Sequence, residues 1–292
     1  MKRAAFLLVS LLAASVLVGT TRSAAATSIT KILVIMEENQ FASSVTSTSA
    51  PYIFSVEKMY AQGTHYSAVG HPSTPNYLAI AGGSTYGITA DGPPSQYPIN
   101  APSVFGQAIR AGHTAKLYAE TATSKCDSQG TKYYDVHHNP WLYFTPSNER
   151  AGCHSFDVGF SGTSGALGAD VKAGTLPNVG MVAPNVTDDG HTPGGSTGLR
   201  NADNWLKTEL PFIMSGPDYK AGRLAIVITW DSSPLASSPA VDFIVVAPTV
   251  SHLVVSTAYD HYSLSRLMSD FGGSAPLLRA KAAPDMRAAF HL

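Results

Sequence analysis

The sequence predicts a three-layer α/β sandwich with a mostly parallel central sheet, and three observations carry that prediction. Ile32 to Met36, Leu224 to Thr229 and Phe243 to Ala247 are unbroken apolar runs of strand length, as in strands covered on both faces. Segments of helical periodicity alternate with them along the chain, the pattern of parallel strands joined by helical crossovers. The composition is that of a globular chain, since 13% charged and 44% hydrophobic residues exclude disorder, while 25 Gly and 19 Pro in 292 residues exclude a coiled coil.

At the N-terminus, Lys2 and Arg3, the apolar stretch Ala4 to Val18 and the small residues Ala24-Ala25-Ala26 predict a secretory signal peptide over residues 1–26. Its removal before Thr27 leaves 16 basic against 20 acidic residues, a balance of −4. Mild acidity with no basic cluster argues against nucleic acid as a partner. No later apolar run reaches the ~18–20 residues of a membrane span, so residues 27–292 are expected to be secreted without a transmembrane segment. No linker, repeat or charge block divides that stretch, which predicts a single domain.

The first strand runs directly into Glu37-Glu38-Asn39, which either supplies hard oxygen ligands to a cation or forms an ordinary solvated loop. Helical periodicity follows from Tyr52 to Gln62, then a short strand from Tyr66 to Val69. Next comes His71-Pro72-Ser73-Thr74-Pro75-Asn76, leading into the helix-like Tyr77 to Ala81. Ser73 or Thr74 is expected as the N-cap with Pro75 near the first helical position, which puts a hydroxyl at the positive end of a helix dipole. That place suits a nucleophile meeting a phosphoryl group, although capping alone would also explain it.

A helix is expected over Val104 to Ala111 and a weaker strand over Lys116 to Ala119. The only two cysteines, Cys126 and Cys153, are read as one disulfide stapling the irregular 120–155 region, with two buried thiols as the alternative. His137-His138-Asn139-Pro140-Trp141 offers imidazoles that either meet phosphate or pack. The Gly- and Ser-rich stretch from Gly159 to Gly174 predicts a loop or an excursion from the main fold, Val179 to Ala183 a weaker strand, and Thr187 to Gly198 a second loop or excursion. Within the latter, Asp188-Asp189-Gly190-His191 lets carboxylate and imidazole converge on one ion or phosphate, or else forms a surface turn. Gly194-Gly195-Ser196-Thr197-Gly198 matches G-x-S-x-G in letters, but no apolar strand precedes it, so the match is read as chance.

Ala202 to Met214 is helical in pattern, and the strongest strand ends in Thr229-Trp230-Asp231, where a carboxylate either binds a metal or terminates the strand. Tyr259-Asp260-His261-Tyr262 opens the last helix, Ser263 to Phe271, so His261 is a cap, a packed ring or a ligand. In open α/β sheets ligands bind beyond the carboxyl ends of the strands, and five of these motifs fall there.

Together, Ile35-Met36-Glu37-Glu38-Asn39, His71 to Ala79, His138-Asn139-Pro140-Trp141, Pro184-Asn185 through His191, Thr229-Trp230-Asp231 and Tyr259 to Ser263 resemble the phosphoesterase family. That family comprises secreted acid phosphatases and non-specific phospholipases C within the alkaline-phosphatase-like superfamily. The compact chain looks closest to secreted acid phosphatases, some of which act on phosphoinositide phosphates. The resemblance implies an alkaline-phosphatase-like fold, with Ser73 as nucleophile and with Glu38, Asn39 and Asp231 holding the divalent cation that activates it. Asp189, His191 and His261 would complete the site as further metal ligands or phosphate contacts. His138 would meet the phosphoryl oxygens or protonate the leaving alkoxide.

The implied activity is hydrolysis of phosphate monoesters through a phosphoserine, the substrate being a small phosphorylated molecule or a phospholipid head group. Two departures bear on it: relatives usually carry Glu where Ser232 stands, and Asp where Thr192 stands. The first removes a charged oxygen ligand from a cation site. A phospholipase C, a degenerate phosphate-binding relative and a serine esterase built on Ser196 are the competing readings.

Overall fold

The computed structural model describes Met1 and residues 28–292, so the expected signal peptide falls almost wholly outside the described residues. In chain order the first half comprises β1 (Lys31–Glu37), α1 (Pro51–Met59), β2 (Ala61–Gly63), β3 (Tyr66–Ser67), α2 (Ser73–Gly82), α3 (Val104–Arg110), β4 (Ala115–Glu120), α4 (Ser147–Phe156), β5 (Asp157–Ser161), α5 (Gly165–Ala173) and β6 (Val179–Ala183). The second half adds α6 (Gly195–Met214), α7 (Pro217–Lys220), β7 (Leu224–Trp230), β8 (Phe243–Val246), β9 (Leu253–Val255), β10 (Tyr259–Asp260) and α8 (His261–Phe271).

Eight strands form one sheet in the order β5-β4-β6-β1-β7-β8-β2-β9. The five from β5 to β7 are mutually parallel, β8 is antiparallel to both its neighbours, and β9 is parallel to β2. Strands β1 and β7 lie at the centre, where helices cover both faces, which is why they read as continuous apolar runs rather than alternating ones. Helices α2, α3, α4 and α8 pack together on one face, and α1, α5, α6 and α7 on the other. The three-layer, mostly parallel sandwich expected from the sequence is therefore what the chain forms.

Two loop expectations fail, one of them at its end, where Thr187 to Gly198 gives its last residues to α6 from Gly195 onward. The stretch from Gly159 to Gly174 is not a loop: it carries most of β5 and all of α5. β5 is an edge strand whose pairing with β4 holds Asp157 to Phe160 against Leu117 to Glu120, and tertiary pairing here outweighs the weak propensity of its Gly and Ser residues. The start of α2 also shifts. Its N-cap is Pro72 and Ser73 is already the first helical residue, so no side chain of the expected pair caps the helix. Asp91 caps it from a distant loop instead, accepting from the Thr74 amide at 2.8 Å and the Thr74 hydroxyl at 2.9 Å.

The register sets the site. Pairing of Glu37 with Trp230 and of Ile35 with Val182 brings the carboxyl ends of β1, β7 and β6 to one level. The chain is tied there by backbone bonds, from the Glu38 amide to the Asp189 carbonyl at 2.6 Å and from the Asp231 amide to the Glu37 carbonyl at 2.9 Å. Asn76, fully buried, folds the loop before α2 around itself. Its Oδ1 accepts from the amides of Val69 and Gly70, and its Nδ2 donates to the carbonyls of Gly70 and Pro72. A disulfide joins Cys126 to Cys153, tying the segment after β4 to α4, as the cysteine count predicted.

Candidate active site

Glu38 is the hub of the site. It is fully buried just past the end of β1, and its Oε2 accepts a hydrogen bond from the Ser73 hydroxyl at 3.0 Å and from Asn39 Nδ2 at 3.1 Å. His138 Nε2 lies 3.2 Å from Glu38 Oε1, and His191 Nδ1 lies 3.6 Å from Oε2. On its other side the His138 ring meets Asp189, with Nδ1 3.4 Å from Oδ2. The ring also stacks on Tyr77, their centroids 5.5 Å apart and planes 9° apart. A seven-residue strand, a helix N-terminus and two loops thus deliver Glu38, Ser73, His138 and His191 to one point.

Asp231, buried past the end of β7, receives the Asn39 amide on Oδ1 at 3.0 Å. The Ser232 hydroxyl, at the position where a carboxylate was expected, donates to Asn39 Oδ1 at 2.9 Å. Ser232 therefore turns the amide of Asn39 so that its NH₂ faces Glu38 and His191, the latter 3.3 Å away. His261 is brought to the same region in another way. Its Nε2 lies 2.6 Å from the Asp231 carbonyl oxygen and its Nδ1 2.9 Å from the Tyr66 hydroxyl. A carbonyl can only accept, so Nε2 carries the proton, Nδ1 accepts from Tyr66, and both ring nitrogens are engaged. Burial holds the His261 pKa down at about 4, which keeps that neutral tautomer.

Electrostatics divide the groups by sign. Burial and the neighbouring Glu38 push the Asp231 carboxyl up to about 8, and burial likewise raises Asp189. Glu38 goes the other way: burial opposes it, yet His138 and His191 hold it below the usual carboxylate range. The Glu38 hydrogen bond and charge push His191 up to about 9, and His138 is raised too, because Glu38 and Asp189 outweigh its burial.

The donor set fits a hard divalent cation. Asp231 Oδ2 is a buried acceptor without a hydrogen-bond donor, and Glu38 Oε1 and Asp189 Oδ2 share the single His138 ring, so three buried carboxylates converge where one imidazole faces two of them. Glu38, His138 and His191 present ligand atoms within 4.8 Å of one another. The other such group, Cys126, Cys153 and Asp157, is occupied by the disulfide. Ser196 sits exposed in the first turn of α6, well beyond the end of β6 at Ala183, so no strand-turn-helix elbow presents it.

Three side chains that shape the site, Tyr77, Gln40 and Asp91, have no role implied by the sequence. Tyr77, stacked on His138, sat inside a quoted motif. Gln40 donates to the carbonyls of Gly190 and Gly195 and ties the His191 loop to the end of β1. Asp91 lies in an Asp-Gly-Pro-Pro turn whose only local signal is for a bend.

The chain is similar to known phosphoric ester hydrolases. A family model described as the phosphoesterase family matches residues 36–271. A phosphatidylinositol-3-phosphatase of Mycobacterium tuberculosis is 30% identical over 276 residues, covering 92% of this chain and 85% of that protein. A phosphate-repressible acid phosphatase of Penicillium chrysogenum is 28% identical over 218 residues, 70% of this chain but only 50% of the fungal one. Among solved structures, an alkaline phosphatase superfamily protein from Vibrio parahaemolyticus superposes with a TM-score of 0.57 at 11% identity. That match covers 85% of this chain and 67% of the other, and it shows the fold alone.

Proposed function

Since this chain belongs to the phosphoesterase family and is a phosphoric ester hydrolase, we propose that it is a secreted, metal-assisted phosphomonoesterase working through a phosphoserine at Ser73. Residues 27–292 act as one catalytic unit after removal of residues 1–26. The observation that carries this reading is the buried Ser73 hydroxyl, on the first residue of α2, donating to Glu38 Oε2 at 3.0 Å.

Ser73 Oγ attacks phosphorus in line, and its proton passes to Glu38 Oε2, which already accepts it as a hydrogen bond. The bond from phosphorus to the ester oxygen breaks as the Ser73 bond forms. Protonated His138, held by Glu38 and Asp189, gives the departing oxygen its proton. Asn39 Nδ2 and the cationic His191 face the equatorial oxygens, where charge must be balanced. Water then attacks the phosphoserine, giving its proton to the now neutral His138, while the Ser73 oxygen leaves phosphorus and takes back the proton held by Glu38, so that phosphate is released and both groups are restored.

A divalent cation would be held by Glu38 and Asp231, with Asp189 and His191 beside them and with Asn39 joining through Oδ1 in exchange for its bond from Ser232, and it would supply further positive charge to the Ser73 oxygen and the phosphoryl group. His261 serves as a support that fixes the Asp231 backbone rather than as a ligand, because neither of its nitrogens is free. Substrates are small phosphorylated molecules or phosphorylated lipid head groups, the phosphoinositide phosphates among them.

Release of phosphate from a chromogenic aryl phosphomonoester tests the reading. The native chain turns the ester over, chelator suppresses turnover, and Ser73→Ala lowers kcat by at least about 10³-fold. Undiminished turnover by Ser73→Ala would refute it.

A further inference from the structure

Two openings reach the site, and they are lined by different sides of it. One, of about 400 Å³, contains Ser73 and Asn39; the other, of about 600 Å³, contains His138; His191 lines both. In-line displacement puts the attacking and leaving oxygens on opposite sides of phosphorus. With Ser73 in the smaller opening, the leaving alcohol must extend past His191 into the larger one, beside the ring that protonates it. A volume of this size suits an organic ligand rather than a phosphoryl group alone.

The outer wall of the larger groove is built and held. Thr131 N donates to the Tyr134 carbonyl at 2.9 Å, and the Thr131 hydroxyl accepts from the amides of Tyr133 and Tyr134. The Tyr134 hydroxyl donates to the Asp127 carbonyl at 2.8 Å and accepts from Asn139 at 2.9 Å. Val186 N donates to Tyr133 O at 2.9 Å, linking this turn to the loop that carries His191. The Cys126–Cys153 disulfide anchors its start.

On that turn stands Lys132. Among the described residues it is the only Lys or Arg lining either opening; its side chain is exposed, with Nζ 5.2 Å from the centroid of the Tyr133 ring. The one acidic residue of the groove, Asp135, is already engaged by its neighbour: His137 Nδ1 lies 3.0 Å from its carboxylate, and the His137 amide donates to it at 2.9 Å. A neutral leaving group would gain nothing from Lys132, whereas a second anion on the alcohol would meet an ammonium group carried on a tied turn.

We propose that the turn at residues 129–136 forms a leaving-group subsite, with Lys132 binding a second phosphoryl group carried by a ring-sized polyol. This rests on the reading that Ser73 is the nucleophile, and it specifies the substrate class: polyol esters bearing one phosphate to be cleaved and another that stays on the alcohol. In the reaction the ester oxygen leaves with the polyol and its retained phosphate, taking its proton from His138.

The test compares glucose 6-phosphate with glucose 1,6-bisphosphate, and vesicles of phosphatidylcholine with and without phosphatidylinositol 3-phosphate, using native, Lys132→Ala and Lys132→Arg chains. The native chain is expected to favour the bisphosphate through KM. Lys132→Ala should weaken kcat/KM for the bisphosphate about fivefold, the size of a partly exposed ion pair, and leave an aryl monophosphate unchanged. Lys132→Arg should restore the preference. The same dependence confined to the vesicles supports the subsite with the lipid phosphodiester as its anion. Equal effects of Lys132→Ala on mono- and bisphosphates, or none on either, overturn it. Calorimetric binding of glucose 1,6-bisphosphate to Ser73→Ala, with and without Lys132→Ala, separates the two readings. Lys132-dependent binding upholds the subsite even where the nucleophile assignment fails, and Lys132-independent binding removes it.

Discussion

In the proposed mechanism Ser73, Glu38 and His138 divide the chemistry among a nucleophile, an acceptor and a donor, and their neighbours set which is which. Glu38 keeps its charge because two imidazoles face it, and His138 keeps its proton because two carboxylates face it. If His138 protonates the leaving oxygen, its loss matters most where that oxygen leaves reluctantly. His138→Gln is expected to lower kcat about 10²-fold or more for an alkyl phosphate and far less for a nitrophenyl phosphate, measured by phosphate release. Equal losses on both esters would remove it from that role. Most of these residues were visible in the sequence because each follows a strand or opens a helix. What the sequence left open was partnership. The two-carboxylate step at Glu37-Glu38 cannot say which side chain reaches Ser73, and His261 looks like a ligand until Tyr66 and the Asp231 carbonyl are seen to engage both nitrogens.

The elements place these groups with little help from local propensity. α2 starts at Ser73 with its cap supplied by Asp91, and the preceding loop is shaped by Asn76. Both contacts are non-local or cross a turn, so no helix-start rule in the sequence locates the first residue. β5 went unread for the same reason: an edge strand of Asp, Gly and Ser residues is specified by its pairing with β4. The junction of α4 with β5 also carries a titration. Asp157 accepts from Asn139 at 3.0 and 2.9 Å but is almost fully buried, and burial pushes its carboxyl up to about 7. The native state therefore binds this proton more tightly than the unfolded chain does. The stabilisation is fully present below pH about 4 and is lost as pH rises through about 7, amounting to up to about 4 kcal/mol. Asp157→Asn should flatten that fall in denaturant titrations between pH 4 and pH 7. A variant with the native slope would show that Asp157 is not its source.

At the scale of the whole molecule, one register decides the outcome: the carboxyl ends of β1, β6 and β7 stop at one level and set Glu38, Asp189 and Asp231 side by side. The strand runs and alternating helices made this sheet legible in the sequence, because burial on both faces leaves no polar position to confuse the period. In the acid pole that results, buried Asp231 Oδ2 has no donor, and Glu38 and Asp189 share one imidazole. A divalent cation at about 100 times its Kd is expected to stabilise the native chain by about 2.7 kcal/mol, read as a rise in Tm, and Asp231→Asn should reduce that rise. An unchanged Tm in both proteins would leave the pole without a cation. The central claim, that turnover passes through Ser73, is tested most directly by acid-quenching the enzyme during steady-state hydrolysis and mapping the bound phosphoryl group by peptide mass spectrometry. The account predicts one phosphoryl group on the peptide carrying Ser73, formed from substrate and lost as substrate runs out. A fully active enzyme with that peptide unmodified at every quench time, or with the phosphoryl group on a histidine, would contradict it.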